Sequence, residues 1–206
     1  MVSISEFQAD LINKAKANKQ RIVLPEGDCD RVLKAADEAL KQEVAGIIIL
    51  GNPDTIQVKA SALGLDLSNA TIVDYLNAPE FEDYVNTLAE LRKAKGLTLE
   101  EAREMMKDGA YYGTMMVYKG VADGMVSGAE HTTANTIRPA LQFVKTKPNA
   151  TMVSGAFLMC YNGQLQVFAD CAVTPNPTSE QLSEIAVTTA ETARLFGLDP
   201  KVAFLS

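Results

Sequence analysis

The sequence predicts an α/β fold, with a parallel sheet covered by helices on both faces, and three observations carry that expectation. Apolar, branched runs alternate with stretches of helical spacing through the first two thirds of the chain. The run "AGIIILG" (45–51) is apolar throughout, as a strand buried on both faces must be. After Lys147-Pro148 the pattern changes, and two strand-like runs flank Asn162-Gly163, a strong hairpin signal that adds a mixed sheet. The expected organisation is two-lobed: a first α/β lobe over residues 1–148 and the start of a second over 149–206.

The elements follow in order. The N-terminal stretch "MVSISEFQADLINKAKANKQ" has no central apolar block and reads as an amphipathic helix, not a leader peptide. "RIVLP" (21–25) is a short branched strand, closed by the turn "EGD". "DRVLKAADEALKQ" has apolar residues at helical spacing, and Pro53 opens a helix that runs to about Leu63. "TIVDY" is a weaker strand. "PEFEDYVNTLAELRKAK" is a helix closed by Gly96, and Thr98 with Glu101 forms a capping box for the next one. "DGAYYGTMMVYKG" is helix-like despite its glycines, with Met and Tyr side chains read as core packing. "ADGMVSG" is a strand running into the loop of His131, where Pro139 kinks or restarts the helix that follows. Beyond the hairpin, Thr178 with Gln181 makes a second capping box for a helix to Phe196, closed by Gly197. "KVAFLS" reads as the beginning of a further strand, and a buried parallel strand is a poor place for a terminus, so the 206 residues read as a piece of something longer.

Composition narrows the function classes. With 47% hydrophobic residues the chain can bury a real core, yet no run approaches the ~20 apolar residues of a membrane span. The net charge of −7 argues against general nucleic-acid binding but leaves an anionic small ligand open, since that responds to local charge. Cys29, Cys160 and Cys171 lack metal-ligand spacing and read as small buried or half-buried residues; no metal is expected. A cytoplasmic protein is expected. The sequons at Asn69 and Asn149 read as chance matches. There is no P-loop, no dinucleotide fingerprint, no H-E-x-x-H and no G-x-S-x-G elbow.

Two stretches gather groups that hold anions. "SGAEHTTANTIRPALQ" (127–142) contains the single histidine of the chain, His131. Gly128 lets backbone approach a ligand, Ser127, Thr132 and Thr133 offer hydroxyls, and Arg138 offers a bidentate cation. His131 would orient the loop or donate to the anion. A capped helix with a structural histidine and a surface arginine accounts for the same residues. "LRKAKG" brings Arg92, Lys93 and Lys95 to a helix end, where they complement the dipole or anchor a second phosphate.

Several stretches, in order, resemble the phosphate acetyltransferases: "LPEGDCDRVLKAA", "IILGNP", "LRKAKGLTLEEA", "SGAEHTTANTIRPALQ" and "FADCAVTPNPTSEQLSEIA". The resemblance runs through essentially the whole chain. It implies reversible acetyl transfer between acetyl phosphate and coenzyme A, giving acetyl-CoA and phosphate. It also implies two α/β lobes similar to those of isocitrate and isopropylmalate dehydrogenases, a homodimer, and no cofactor beyond coenzyme A as substrate. Arg92 is expected to hold a phosphate of coenzyme A. Arg138 serves the same anionic ligands, with Ser127, Gly128, Thr132 and Thr133 in the matching loop. The family's aspartate base, assisting serine and acetyl-phosphate arginine belong to a segment expected after Ser206, so no catalytic residue is assigned. Asp170 is read as fixing the "TPNPT" loop and Glu130 as a solvated carboxylate. Two alternatives stand beside this: a butyryl-type acyltransferase, and a non-catalytic acyl-CoA-binding module like that fused behind malic enzymes.

Overall fold

The computed structural model describes residues 4–148, 150–161 and 163–205. Asn149 of one sequon, Asn162 of the expected hairpin turn and Ser206 lie outside the described residues. The chain divides into two compact units, one of residues 11–145 and one of residues 146–206 with 1–10.

The larger unit is built on a four-stranded, all-parallel sheet. Its strands are β1 (Gln20–Leu24), β2 (Ala45–Leu50), β3 (Thr71–Val73) and β4 (Gly124–Met125), in the spatial order β3-β2-β1-β4. Alternate residues leave opposite faces of a strand, and both faces are covered. Val23, Ile48 and Leu50 pack on one side with residues of α4 (Phe81–Arg92), α5 (Leu99–Met106) and α6 (Gly109–Tyr118). Leu24, Ile47 and Ile49 pack on the other with residues of α2 (Asp30–Lys41) and α3 (Pro53–Leu63). The helical stretch α1 (Ile4–Ala17) precedes the sheet.

Because β1 is central, the chain leaves it toward β2 in one direction and returns to its other side as β4. The order therefore reverses between β1 and β4, the place where open α/β sheets form ligand crevices beyond the strand carboxyl ends. Two segments meet there: Pro25-Glu26-Gly27 after β1, and Val126-Ser127-Gly128 after β4. Gly27 is obligatory on space alone. Its N–H donates to the Leu50 carbonyl at 3.2 Å, and a Cβ would collide with that oxygen and with Ile49 Cγ2.

Helix α6 is buried on every side from Gly109 to Met116, which is why its sequence lacks an amphipathic stripe. The expected Gly96 closure appears as a 3₁₀ turn, Lys93–Lys95, ending in Gly96 at φ +79°. Thr98 and Glu101 make the expected reciprocal capping box. Helix α7 (Thr133–Pro139) ends at Pro139 and continues into a π-helical turn, Ala140–Val144. Only Gly124 and Met125 of "ADGMVSG" pair as strand.

In the smaller unit, β5 (Ala156–Tyr161) and β6 (Gln164–Ala169) form the expected antiparallel hairpin, and α8 (Ser179–Leu195) follows the expected capping box at Thr178. Asp170 accepts N–H bonds from Gly155, Ala172, Val173 and Thr174, so it fixes the loop after β6 as read. Two expectations fail here. "KVAFLS" forms no strand among its described residues, and Val202, Phe204 and Leu205 are exposed. Cys160 is exposed, where all three cysteines were expected buried or half-buried. It lies one residue from the turn end of β5, on the face where Leu158, Leu165 and Val167 are half-buried, while Phe157, Tyr161 and Phe168 on the opposite face are exposed.

Candidate anion site

The loop at the sheet reversal is organised around a carboxylate that composition did not single out. Glu26 is 5% exposed. Its Oε2 accepts the N–H groups of Gly128 and Ala129, both at 3.0 Å, and its Oε1 those of Glu130 and His131, both at 2.8 Å. Four consecutive amides curl around one anion, as in an anion-binding nest. Burial alone would raise the Glu26 carboxyl, but the four N–H bonds outweigh it and hold the pKa at about 2. Gly128, at φ +110°, supplies a backbone conformation that other residues rarely adopt. Arg31, in the first turn of α2, donates to the Ala129 carbonyl from the other side.

His131 Nδ1 lies 3.0 Å from Glu26 Oε1 but out of line for a hydrogen bond, and it has no other partner. Thr132 caps α7, its Oγ1 accepting the Asn135 N–H at 3.3 Å. Ser127 Oγ accepts from Thr136 Oγ1 at 3.4 Å, while Thr133 is exposed at the start of α7. The amides of Gly128 to His131, offered by sequence to an outside anion, are thus satisfied internally, while Thr133 and Arg138 are exposed.

Tyr111 lies within the electrostatic reach of both Arg92 and Arg138, and its partner Gln142 lies beside Arg92. The Tyr111 hydroxyl, on α6, donates to Gln142 Oε1 at 3.0 Å, and Arg92 Nη1 makes a long contact, 3.5 Å, with the Gln142 carbonyl. Burial pushes the Tyr111 hydroxyl above its ordinary 10, against the fields of Arg138 and Arg92, so it stays a neutral donor at physiological pH. The π turn that follows Pro139 places Gln142 next to Arg92 at the end of α4. Arg92, Lys95, Gly96, Glu101 and Gln142 line an open pocket of about 260 Å³. Two cations there face one carboxylate, and the Glu101 carboxylate is engaged with Thr98 N and Oγ1, both at 2.8 Å. The balance in the pocket favours an anionic guest although the whole chain is acidic.

The family model for phosphate acetyl/butaryl transferase matches residues 6–206. The chain belongs to the phosphate acetyl/butyryl transferase family. It is 55% identical over 200 residues to the phosphate acetyltransferase of Nitratidesulfovibrio vulgaris, covering 97% of this chain and 28% of that protein. It is 53% identical over 205 residues to that of Corynebacterium glutamicum, covering 100% of this chain and 62% of the relative. A phosphotransacetylase structure from Streptococcus pyogenes superposes with a TM-score of 0.93 at 43% identity, over 99% of this chain and 62% of that one. The chain therefore spans less than two thirds of the length of these relatives.

The sequence motifs single out Arg92, Arg138 and the loop from Ser127 to Thr133, but neither Glu26 nor Tyr111. In the sequence Glu26 reads as part of a turn and Tyr111 as core. One signal was present for Glu26: an acidic residue directly beyond a central parallel strand, followed by a glycine. Among the described residues, no cluster of His, Cys, Asp or Glu has metal-binding geometry, and no helix is long and apolar enough to cross a membrane.

Proposed function

We propose that the protein carrying this chain catalyses the reversible transfer of an acetyl group between acetyl phosphate and coenzyme A. A coenzyme A thiolate sulfur attacks the acetyl carbonyl carbon, the bond from that carbon to the phosphate oxygen breaks, and inorganic phosphate leaves. The thiol, with an ordinary pKa of about 8.5, gives its proton to a general base. In this reading the base and the oxyanion donors lie in the share of the relatives' length that this chain does not span. Here the chain supplies anion anchorage: Arg92 holds a phosphate of coenzyme A, Arg138 serves the anionic ligands nearby, and Ser127, Gly128, His131, Thr132 and Thr133 form the adjoining loop. Positioning in a ternary complex can contribute about 7–11 kcal/mol, so binding groups matter to rate as well as affinity. No metal or prosthetic group enters this scheme. A two-lobed fold of the isocitrate/isopropylmalate dehydrogenase type, a homodimer and a cytoplasmic location belong to the same proposal.

The observation that carries the reading is the open pocket lined by Arg92 and Lys95, beside a Tyr111–Gln142 pair whose hydroxyl also feels the field of Arg138. The test is phosphate- or arsenate-dependent loss of acetyl-CoA, with butyryl-CoA alongside. Arg92→Gln is expected to raise the KM for coenzyme A by about 10- to 100-fold, the worth of one charge-assisted contact, and that for acetyl phosphate far less. Equal effects on both substrates would remove the coenzyme-specific anchor, and a preference for butyryl-CoA would move the protein to the butyryl branch.

A further inference from the structure

Glu26 is one of two buried carboxylates among the described residues, the other being Asp37. Asp37 pairs with Lys41 at 2.6 Å and accepts the Asp66 N–H, an ordinary tie between neighbouring helix and loop. Glu26 differs, because all four hydrogen bonds of its carboxylate go to one short stretch, residues 128–131. The strand pairings of the sheet run through backbone groups of other residues, and Glu26 belongs to neither apolar cluster. The hydrogen bonds of its side chain are confined to the loop that begins α7, while its carbonyl accepts the Cys29 N–H before α2 at 3.0 Å. Arg31 grips the same loop through the Ala129 carbonyl. Two residues beyond His131, α7 begins, and its last turn carries Arg138.

We infer that Glu26, assisted by Arg31, is a positioning residue: it occupies the nest as a built-in anion and so fixes the start of α7 and the aim of Arg138. A ligand phosphate does not enter the nest, because that would require expelling a buried carboxylate. Anionic ligands are met by side chains that the nest orients. The inference rests on the binding role proposed above for Arg138.

A double-mutant cycle on the protein carrying this chain tests it, with coenzyme A affinity as the readout and thermal melting followed in parallel. Glu26→Gln keeps the size of the side chain but removes the charge and one acceptor. It is expected to raise the Kd for coenzyme A about tenfold when Arg138 is present, and by less than about twofold in an Arg138→Gln background. In an Arg92→Gln background the effect stays about tenfold, because Arg92 sits on α4 and is not aimed by the nest. Glu26→Asp keeps the charge on a shorter stem and should give an intermediate Kd. A merely structural Glu26 would weaken binding by the same factor in all three backgrounds, and that outcome overturns the inference. Should Glu26→Gln fail to fold, Arg31→Met, which removes the exposed grip on Ala129, should show a smaller effect that also vanishes with Arg138→Gln. Persistence of that effect overturns the inference equally. If neither arginine substitution alters coenzyme A affinity, the proposed binding site itself is lost, a result distinct from additivity.

Discussion

At the scale of single residues, the buried charge of Glu26 organises the loop from Gly128 to His131. The pKa of Glu26 is about 2 when folded, against an ordinary 4.5. A depressed carboxyl stabilises the fold fully above its unfolded pKa, and that contribution fades as pH falls through the folded value. The difference corresponds to on the order of 3 kcal/mol at neutral pH. Glu26→Gln should therefore be clearly less stable than the parent in urea melts at pH 7, and the gap should narrow between about pH 4.5 and 2. A gap independent of pH would mean that the charge contributes nothing. Its neighbour is equally constrained. Gly27→Ala forces a Cβ against the Leu50 carbonyl and Ile49, and should cost about 1–3 kcal/mol by overpacking, read as a lower urea midpoint with an unchanged slope.

At the scale of elements, the capping box of α5 offers a clean measurement. Thr98→Ala removes one cap hydrogen bond and should cost about 1 kcal/mol, lowering Tm by about 2–4 °C. What was legible in the sequence shares this local character. The caps at Thr98 and Thr178, the closure at Gly96 and the apolar strand at Ala45–Leu50 all depend on residues a few positions apart. What escaped depends on distance along the chain. Glu26 meets amides more than a hundred residues away, and no spacing rule reports such a pairing. "KVAFLS" has the composition of a strand, but a strand exists only with a neighbour to pair with, and pairing is not written in composition. Cys160 is exposed near the turn of the hairpin although Leu158 and Leu165 on its face are half-buried, a difference of place along the strand that composition does not report. In the site, the motifs pointed to Arg92 and Arg138, while the Tyr111–Gln142 link required knowing that Pro139 turns into a π-helical step.

At the scale of the whole molecule, a net charge of −7 coexists with a local excess of cations around Arg92 and Lys95. Attraction of an anionic carrier to half-exposed cations is screened by salt, since the Debye length shrinks from about 10 Å at 0.1 M to about 3 Å at 1 M. Coenzyme A affinity should accordingly fall as sodium chloride is raised, with a shallower dependence for Arg92→Gln than for the parent. Parallel slopes would assign the attraction to other groups. The buried helix α6 has a different consequence. Tyr111 reaches toward Gln142 while the adjacent Tyr112 is wedged among Tyr75, Phe81 and Tyr84. Neighbouring positions on a helix point about 100° apart, so no twist or slide of α6 can alter one tyrosine's duty and spare the other's. A mutant library intended to retune ligand preference would squander its diversity on that helix, and should be concentrated on the exposed Lys93, Ala94 and Lys95, which precede the left-handed Gly96 and the Thr98 capping box.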